Sequence, residues 1–323
     1  MQTRSRQSGG IYIKIRVILL LVGIMLMGVI LYRVDWYYLG VSFRELHIKC
    51  LFLSAPFFIC TIWIKSLRWL YMVRIQGIKL FKWQAFMYYA AAMFWGVVTP
   101  GRAGEGIKIF YLKEHGVTSG KATLSVILDR IFDVFFLVIF SIAGIMVVQN
   151  VFSWSINVVF IFCFILLFWN WKVIFRKIKR PILFITPKKY KENVNIFFNE
   201  ASADLPLFSL RKMLGVTVFT SLSWISYVIP LYILGRGLGL QVSYSVLITA
   251  ILLSSAISML PVSIAGIGTR DGFLILYLGQ AGVSKEVSIL FSAMFIYMNI
   301  IAIVVGYLAY IQKDVKTFIR ERK

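Results

Sequence analysis

The sequence predicts an all-α integral membrane protein that crosses the bilayer several times. Hydrophobic residues make up 60% of its 323 residues and charged residues only 15%, whereas soluble domains are about 45 to 50% apolar and about 25% charged. Most of the 35 basic residues, which face only 13 acidic ones, flank apolar runs, as is usual beside a cytoplasmic leaflet rich in anionic lipid. We therefore expect membrane lipids as partners and no nucleic acid.

Six apolar runs are each predicted to cross the membrane once. In chain order they are 17–31, 51–73, 124–148, 152–168, 213–234 and 287–311. About 20 apolar residues are needed to cross about 30 Å of hydrocarbon, and the flanks extend the shorter runs to that length. No small-residue cleavage site follows the first run, so we expect an uncleaved span whose amino end is cytoplasmic.

Two further apolar segments, 84–98 and 243–260, each lead into a bend rich in glycine and proline. The bends read T-P-G-R-A-G-E-G at 99–106 and P-V-S-I-A-G-I-G at 261–268. The arm after the first bend has about 14 residues, about 21 Å at 1.5 Å per residue, which is too short for a full crossing. We therefore expect two re-entrant hairpins whose tips meet, because irregular backbone at membrane depth must be buried in protein or line a wet cavity. The tip residues are Pro100, Gly101, Gly104, Gly106, Pro261, Gly266 and Gly268.

The two bends belong to an internal repeat. A-G-E-G at 103–106 matches A-G-I-G at 265–268 with an offset of 162 positions, and Y-L at 111–112 matches Y-L at 277–278 with an offset of 166. With two re-entrant hairpins, 27 Lys and Arg lie on the cytoplasmic side and 5 outside, whereas eight single crossings give 15 and 17. The positive-inside rule favours the hairpins. The two-hairpin topology predicts one transmembrane domain with inverted halves, 1–171 and 213–323. Both termini are expected in the cytoplasm, and the membrane is expected to be the plasma membrane.

The basic segment 172–212 joins the two halves on the cytoplasmic side. It carries ten basic and three acidic residues. Thr186 followed by Pro187 is typical of a helix start. An amphipathic helix in the membrane interface and a plain soluble connector both fit this segment.

Ionisable residues within membrane segments are costly and are therefore functional candidates. We expect six of them to bind a substrate headgroup, because guanidinium groups and the N–H groups at a helix start both bind phosphate. They are Arg68, Arg102, Glu105, Lys108, Arg270 and Asp271. Two alternatives stay open, since Arg68 could snorkel to the interface and the charges at the first bend could form a structural network. Asp271 is not expected to neutralise Arg270, because adjacent helical residues do not face each other.

Three further charges, Asp129, Arg130 and Asp133, also have two interpretations. The two aspartates share a helix face at i and i+4 and need a cation nearby. They form either a structural ion-pair network, with Arg68, Arg102 or Lys108 as the cation, or a proton-coupling relay.

The sequence shows no catalytic motif and no metal site. G-x-S-x-G, the P-loop and G-x-G-x-x-G are all missing from it, and each would mark a known chemistry. Neither the three cysteines nor the two histidines have the spacing of metal ligands. We expect no enzyme activity, no metal and no cofactor.

Three motifs resemble the lysylphosphatidylglycerol synthase transmembrane-region family. They are T-P-G-R-A-G-E-G-I-K at 99–108, L-D-R-I-F-D at 128–133 and P-V-S-I-A-G-I-G-T-R-D-G at 261–272, although Asp271 stands where many relatives have Glu. The resemblance implies a flippase-like protein that moves a phospholipid or a lipid-linked headgroup, anionic or zwitterionic, between leaflets. The 323 residues leave no room for the aminoacyl-transferase domain of the best-known members.

Two other functions stay open. One is a headgroup-modifying enzyme with Glu105, Asp129 and Asp133 as acid and base. The other is an accessory subunit of a lipid synthase or glycosyltransferase. A homo-oligomer also stays open.

Overall fold

A computed structural model describes residues 32, 36–44, 46–148, 177–184, 186–187, 190–259 and 266–321. Within these residues the chain forms α-helices joined by turns and short 3-10 helices, which confirms the all-α class. Three described helices are long and apolar enough to cross a membrane: Ile48–Ile75, Leu210–Gly237 and Lys285–Gln312. The predicted spans at 17–31 and 152–168 and the bend residue Pro261 lie outside the described residues.

Among the described residues, the predicted spans at 51–73, 124–148, 213–234 and 287–311 each lie within a longer helix. In chain order the α-helices are α1 (Trp36–Arg44), α2 (Ile48–Ile75), α3 (Lys82–Val98), α4 (Ile107–Lys113), α5 (Ser119–Val148), α6 (Lys191–Asp204), α7 (Leu210–Gly237), α8 (Tyr244–Met259), α9 (Thr269–Gly279) and α10 (Lys285–Glu321). A helical stretch at 177–184 precedes α6, and 3-10 helices cover Pro100–Gly106 and Leu205–Leu207.

Helices α2 and α7 occupy equivalent positions in the two halves. Both bounds of α7 lie 162 positions after those of α2, the offset found between the two bends. Each helix ends in a glycine turn with positive φ, 80° at Gly77 and 75° at Gly239, a common way to end a helix. Arg74 and Arg236 then each donate to a carbonyl of the following turn, at 3.0 and 2.8 Å.

These two counterpart helices pack against each other in opposite directions. At the start of α2, the His47 N–H donates to the Gly237 carbonyl at the end of α7, at 3.1 Å. At the other end of α2, the Tyr71 ring lies 5.7 Å from the Phe219 ring near the start of α7. The two halves therefore present their equivalent helices antiparallel, which is the geometry of an inverted repeat.

Each hairpin helix packs against the long helix that follows the hairpin in the other half, α3 on α10 and α8 on α5. Glycines allow this close approach. A Cβ at Gly306 would lie 2.4 Å from the Ala90 carbonyl oxygen, and a Cβ at Gly144 would lie 2.4 Å from Thr249 Oγ1. Small residues at such crossings are typical of membrane helices, and here they let the hairpin helix of each half pack closely on the other half.

The joining segment folds differently from the prediction at its start. The Thr186 hydroxyl donates to the Ile182 carbonyl at 2.6 Å, so it closes the preceding helical stretch, and α6 begins only at Lys191. The far end of α6 is docked on the helical body, where Ala201 and Leu205 are fully buried. Of the two open interpretations, a plain connector does not fit this packing.

Candidate functional site

The centre of the first half holds a buried network of ion pairs. The Arg68 guanidinium on α2 donates to Asp129 Oδ1 at 2.6 Å and to Asp133 Oδ1 at 2.6 Å. All three side chains are at most 1% exposed. Because the two aspartates lie one helical turn apart on α5, a single guanidinium fork reaches both of them. This is the geometry of a structural ion-pair network.

The network continues to the first bend. Lys108, at the start of α4, lies 2.7 Å from Asp129 Oδ2 and 3.6 Å from Glu105 Oε2. Arg130 contacts Glu105 directly, and Arg102 Nη1 lies 3.9 Å from Glu105 Oε1. Glu105 therefore connects the bend to α5 through cations on both sides.

Lys65 is the network's least neutralised cation among the buried ones. Its Nζ lies 3.9 Å from Asp133 Oδ2, beyond hydrogen-bonding distance, and 4.3 Å from the centre of the Trp224 ring. In the ordinary ionisation states, the network has five cations and three carboxylates, an excess of two positive charges. The cations are Lys65, Arg68, Arg102, Lys108 and Arg130, and the carboxylates are Glu105, Asp129 and Asp133.

The first bend holds Arg102 in an unusual backbone conformation. Its φ is 56°, and it is the only non-glycine residue with positive φ in the described part of the chain. Thr99 fixes this conformation, because the Arg102 N–H donates to its carbonyl at 3.1 Å and the Gly104 N–H donates to its hydroxyl at 2.7 Å. A left-handed conformation of a bulky residue stores strain, which proteins often keep at functional sites.

Arg270, the cation that follows the second bend, is neutralised by the adjacent carboxylate. Arg270 Nη2 lies 3.3 Å from Asp271 Oδ1, so the expectation that Asp271 does not neutralise Arg270 is wrong. The reason is Ser292 on α10, which accepts from Arg270 Nε at 2.8 Å and itself donates to Asp271, so that both charged side chains turn towards one neighbour. Asp271 Oδ2 also accepts from the Gly268 N–H at 2.7 Å.

Two small adjoining cavities lie beside Arg102 of the first bend, between helices of the two halves. Both are lined by Arg102, Tyr227 and Asn299, and Arg270 completes one while Lys65 completes the other. Each has a volume of about 20 Å³, enough for about one water. No carboxylate lines them among the described residues, and the undescribed stretch 260–265 has no ionisable side chain.

The predicted headgroup residues thus fall into two groups. Arg102 and Arg270 line the cavities, whereas Arg68, Glu105, Lys108 and Asp271 are buried among the partners described above. Sequence reasoning missed Tyr227 and Asn299 as cavity residues. Extending the repeat alignment would have found them, because they lie 162 and 166 positions after Lys65 and Asp133.

An apolar groove lies next to the charged centre, between α5, α7 and α8. Its volume is about 420 Å³, and its lining includes Phe136, Trp224 and Leu252. Trp224 stands between the two environments, because its ring faces the groove while its Nε1 donates to Asp133 Oδ1 at 3.2 Å.

These features define a class of protein: a helical membrane protein with two related halves and a cluster of charged side chains buried where they meet. The chain belongs to the family described as the lysylphosphatidylglycerol synthase TM region, whose model matches residues 13–306. It is also similar to a UPF0104 membrane protein of Methanothermobacter thermautotrophicus, with 25% identity over 246 residues, 69% of this chain and 73% of the relative. The family resemblance is confirmed, and it associates the chain with lipid handling in a membrane.

Proposed function

We propose that the protein is a lipid translocase that moves a lipid with a phosphate-bearing headgroup between the two leaflets. One observation carries the proposal: Lys65, Arg102 and Arg270, from both halves, line adjoining cavities at the centre of the molecule. Cationic side chains inside a membrane protein mark substrate pathways. In transporters built from repeats, substrate sites lie where the repeats meet, near the bilayer midplane.

The arrangement of the carboxylates supports transport over chemistry. An enzyme acting on headgroups would use Glu105, Asp129 or Asp133 as acid or base. All three are engaged by buried cations, and none lines the central cavities among the described residues. An accessory subunit of a lipid synthase or glycosyltransferase does not require a cationic site of its own, whereas this chain has one.

The groove beside Trp224 suits an acyl chain of the same lipid. The groove is apolar throughout its described lining. Trp224 stands between the groove and Lys65, and its ring centre lies only 4.3 Å from Lys65 Nζ. A lipid with its headgroup among the cations would have apolar surface within reach. Indole rings with one polar and one apolar side suit such a border.

The proposed topology has six full spans and two re-entrant hairpins. The protein lies in the plasma membrane, and both termini are in the cytoplasm. The antiparallel packing of the counterpart helices α2 and α7 supports opposite entry sides for the two hairpins. A single cysteine at position 191, in a background without Cys50, Cys60 and Cys163, should be labelled only after the cytoplasmic side is opened. Labelling from outside intact cells would contradict this topology.

Transport can be tested in liposomes that contain a lipid labelled on its acyl chain with a fluorophore that a membrane-impermeant reductant quenches. We expect nearly complete quenching with the protein and about half with empty liposomes. Arg102→Gln should slow the process about tenfold or more, because a hydrogen bond to a charged group contributes about 1.5 to 3 kcal/mol. Lys285→Gln, an exposed cation that lines neither cavity, is the matched control. Equal quenching with and without the protein would contradict translocation.

A further inference from the structure

The repeat assigns counterparts in the second half to four members of the buried ion-pair network. At the offset of 162 positions, Lys65 corresponds to Tyr227 and Lys108 to Arg270. The offset of 166, found at 111–112, also relates Ser119 at the start of α5 to Lys285 at the start of α10. With that offset the two aspartates, Asp129 and Asp133, correspond to Phe295 and Asn299.

The four second-half counterparts come together as the first-half residues do, but around a cavity. Tyr227, Arg270, Phe295 and Asn299 all line the same cavity, together with Arg102 of the first bend. The Arg270 guanidinium carbon lies 5.0 Å from the Phe295 ring centre, where Lys108 in the first half meets a carboxylate. The second half therefore keeps the cation of the ion-pair site while both of the α5 carboxylates are replaced by uncharged side chains.

The carboxylates that remain near this cavity are already engaged. Asp271 pairs with Arg270 and also accepts from Gly268 N–H and Ser292, and Glu105 contacts Arg130 and Lys108. Asn299 makes no side-chain hydrogen bond to any other described residue. Its amide is therefore available to a ligand at the position where the first half has a carboxylate.

We infer that a phosphate of the ligand takes, in the second half, the place that the Asp129 and Asp133 carboxylates take in the first, and that the headgroup is therefore anionic. The phosphate lies between Arg102 and Arg270, and the Asn299 amide donates to it. Guanidinium groups bind phosphate through paired hydrogen bonds. A headgroup that adds an ammonium is disfavoured, because the described lining offers it cations and no carboxylate.

The size of the cavities adds a mechanical consequence. About 20 Å³ holds one water but not a phosphate group, so the side chains that line the cavity must move apart to admit the headgroup. Arg102 lies on the bend with the strained backbone, and its side chain lines both cavities. This residue can therefore stay in contact with the phosphate on the Lys65 side and on the Arg270 side of Tyr227.

This inference rests on the proposed transport, and the decisive variant is Asn299→Asp. It places a carboxylate where Asp133 lies in the first half, so the site neutralises itself and repels an anion. Binding and transport of phosphatidylglycerol should fall about tenfold or more, because like charges at a binding site cost several kcal/mol. Asn299→Ser, which removes the amide without adding charge, should lose less. Gln280→Asp, an added carboxylate at an exposed position, should behave as the unchanged protein.

Two readouts separate this inference from the proposed function. In liposomes, labelled phosphatidylglycerol should move about tenfold faster than labelled lysylphosphatidylglycerol, which shares the phosphate but adds ammonium groups facing cations. If the lysylated lipid moves as fast or faster, the anionic selection is wrong although transport stands. If neither lipid moves, transport is wrong, and native mass spectrometry of the purified protein with each lipid still decides the selection. Equal retention of both lipids, or unchanged retention in Asn299→Asp, would overturn it.

Discussion

The two halves share a backbone plan but arrange charge differently. Helices α2 and α7 have the same length and the same glycine-turn ending. The core of the first half nevertheless holds Arg68 between two aspartates, whereas the equivalent position in α7 is Pro230. The first half joins several cations and carboxylates in one buried network, whereas the second half pairs Arg270 with Asp271 and places it beside a cavity.

This difference shows how a duplicated scaffold can divide its tasks. A buried charge without a partner costs several kcal/mol, so a half that fills its ion-pair sites from its own chain is fixed in one arrangement. The second half has a cavity where the first half has the two α5 carboxylates, and its single pair of Arg270 with Asp271 leaves that cavity without a carboxylate among its described lining. If the proposed transport is correct, the first half is the rigid part and the second half is the part that responds to ligand.

The largest expected effect comes from breaking the network of the first half. Asp129→Asn leaves both Arg68 and Lys108 without the carboxylate that they share. Removing one partner of a buried ion pair costs about 3 to 5 kcal/mol. We expect a clearly lower unfolding temperature in detergent, measured by loss of the monodisperse peak in fluorescence-detected gel filtration after heating.

The matched control for this variant is Glu192→Gln in the first turn of α6, an exposed carboxylate. Surface charges of this kind change stability by less than about 0.5 kcal/mol. If Asp129→Asn unfolds at the same temperature as this control, the network is not structural, and the contrast between the halves fails at its first step.

A smaller effect is expected at the first bend, where two glycines differ in their surroundings. A Cβ at Gly104 would lie 2.2 Å from the Trp95 carbonyl oxygen, while Gly106 has nothing within 4 Å. Gly104→Ala should cost about 1 to 3 kcal/mol through overpacking. Gly106→Ala should be close to neutral, because its φ of −58° suits any residue. The same heating experiment compares them, and equal behaviour would mean that the bend is looser than its contacts indicate.

Much of the fold follows from the sequence because its signals are local. Apolar runs gave α2, α5, α7 and α10 to within a few residues, except at the carboxyl end of α10, which continues ten residues beyond its run. The glycine bends pointed to the repeat, and the i, i+4 aspartates to a shared cation. The sequence offers three candidate cations for those aspartates, and only the packing of α2 against α5 selects Arg68.

The residues that complete the site were harder to predict. Tyr227 and Asn299 are uncharged, so a search for ionisable residues in membrane segments passes over them. Helix geometry alone argues against a pair of Arg270 with Asp271. The pair forms nevertheless, because Ser292 on another helix hydrogen-bonds to both side chains. Long-range contacts of this kind leave no periodic signal in the sequence.

Arg102→Gly tests whether the first half stores strain for the benefit of the site. Glycine adopts φ 56° without the penalty of about 1 to 2 kcal/mol that a left-handed conformation costs other residues. The variant should therefore unfold at a slightly higher temperature while transport falls. Arg102→Ala is the control, because it also removes the guanidinium but keeps the strain. Equal stability of the glycine and alanine variants would show that the bend relaxes freely.

The smallest effect is expected at the exposed ion pair between α6 and the first half. Lys121, near the start of α5, lies 3.2 Å from Asp204 at the end of α6, and 37% of its side chain is exposed. An exposed ion pair of this kind contributes about 0.2 to 1 kcal/mol. Lys121→Gln should therefore lower the unfolding temperature slightly at low salt. The difference should shrink at about 1 M salt, where the screening length falls to about 3 Å. A loss that persists at high salt would mean that α6 is held by this contact more than by Ala201 and Leu205. In that case the rigidity of the first half would depend on its surface as well as on its buried network.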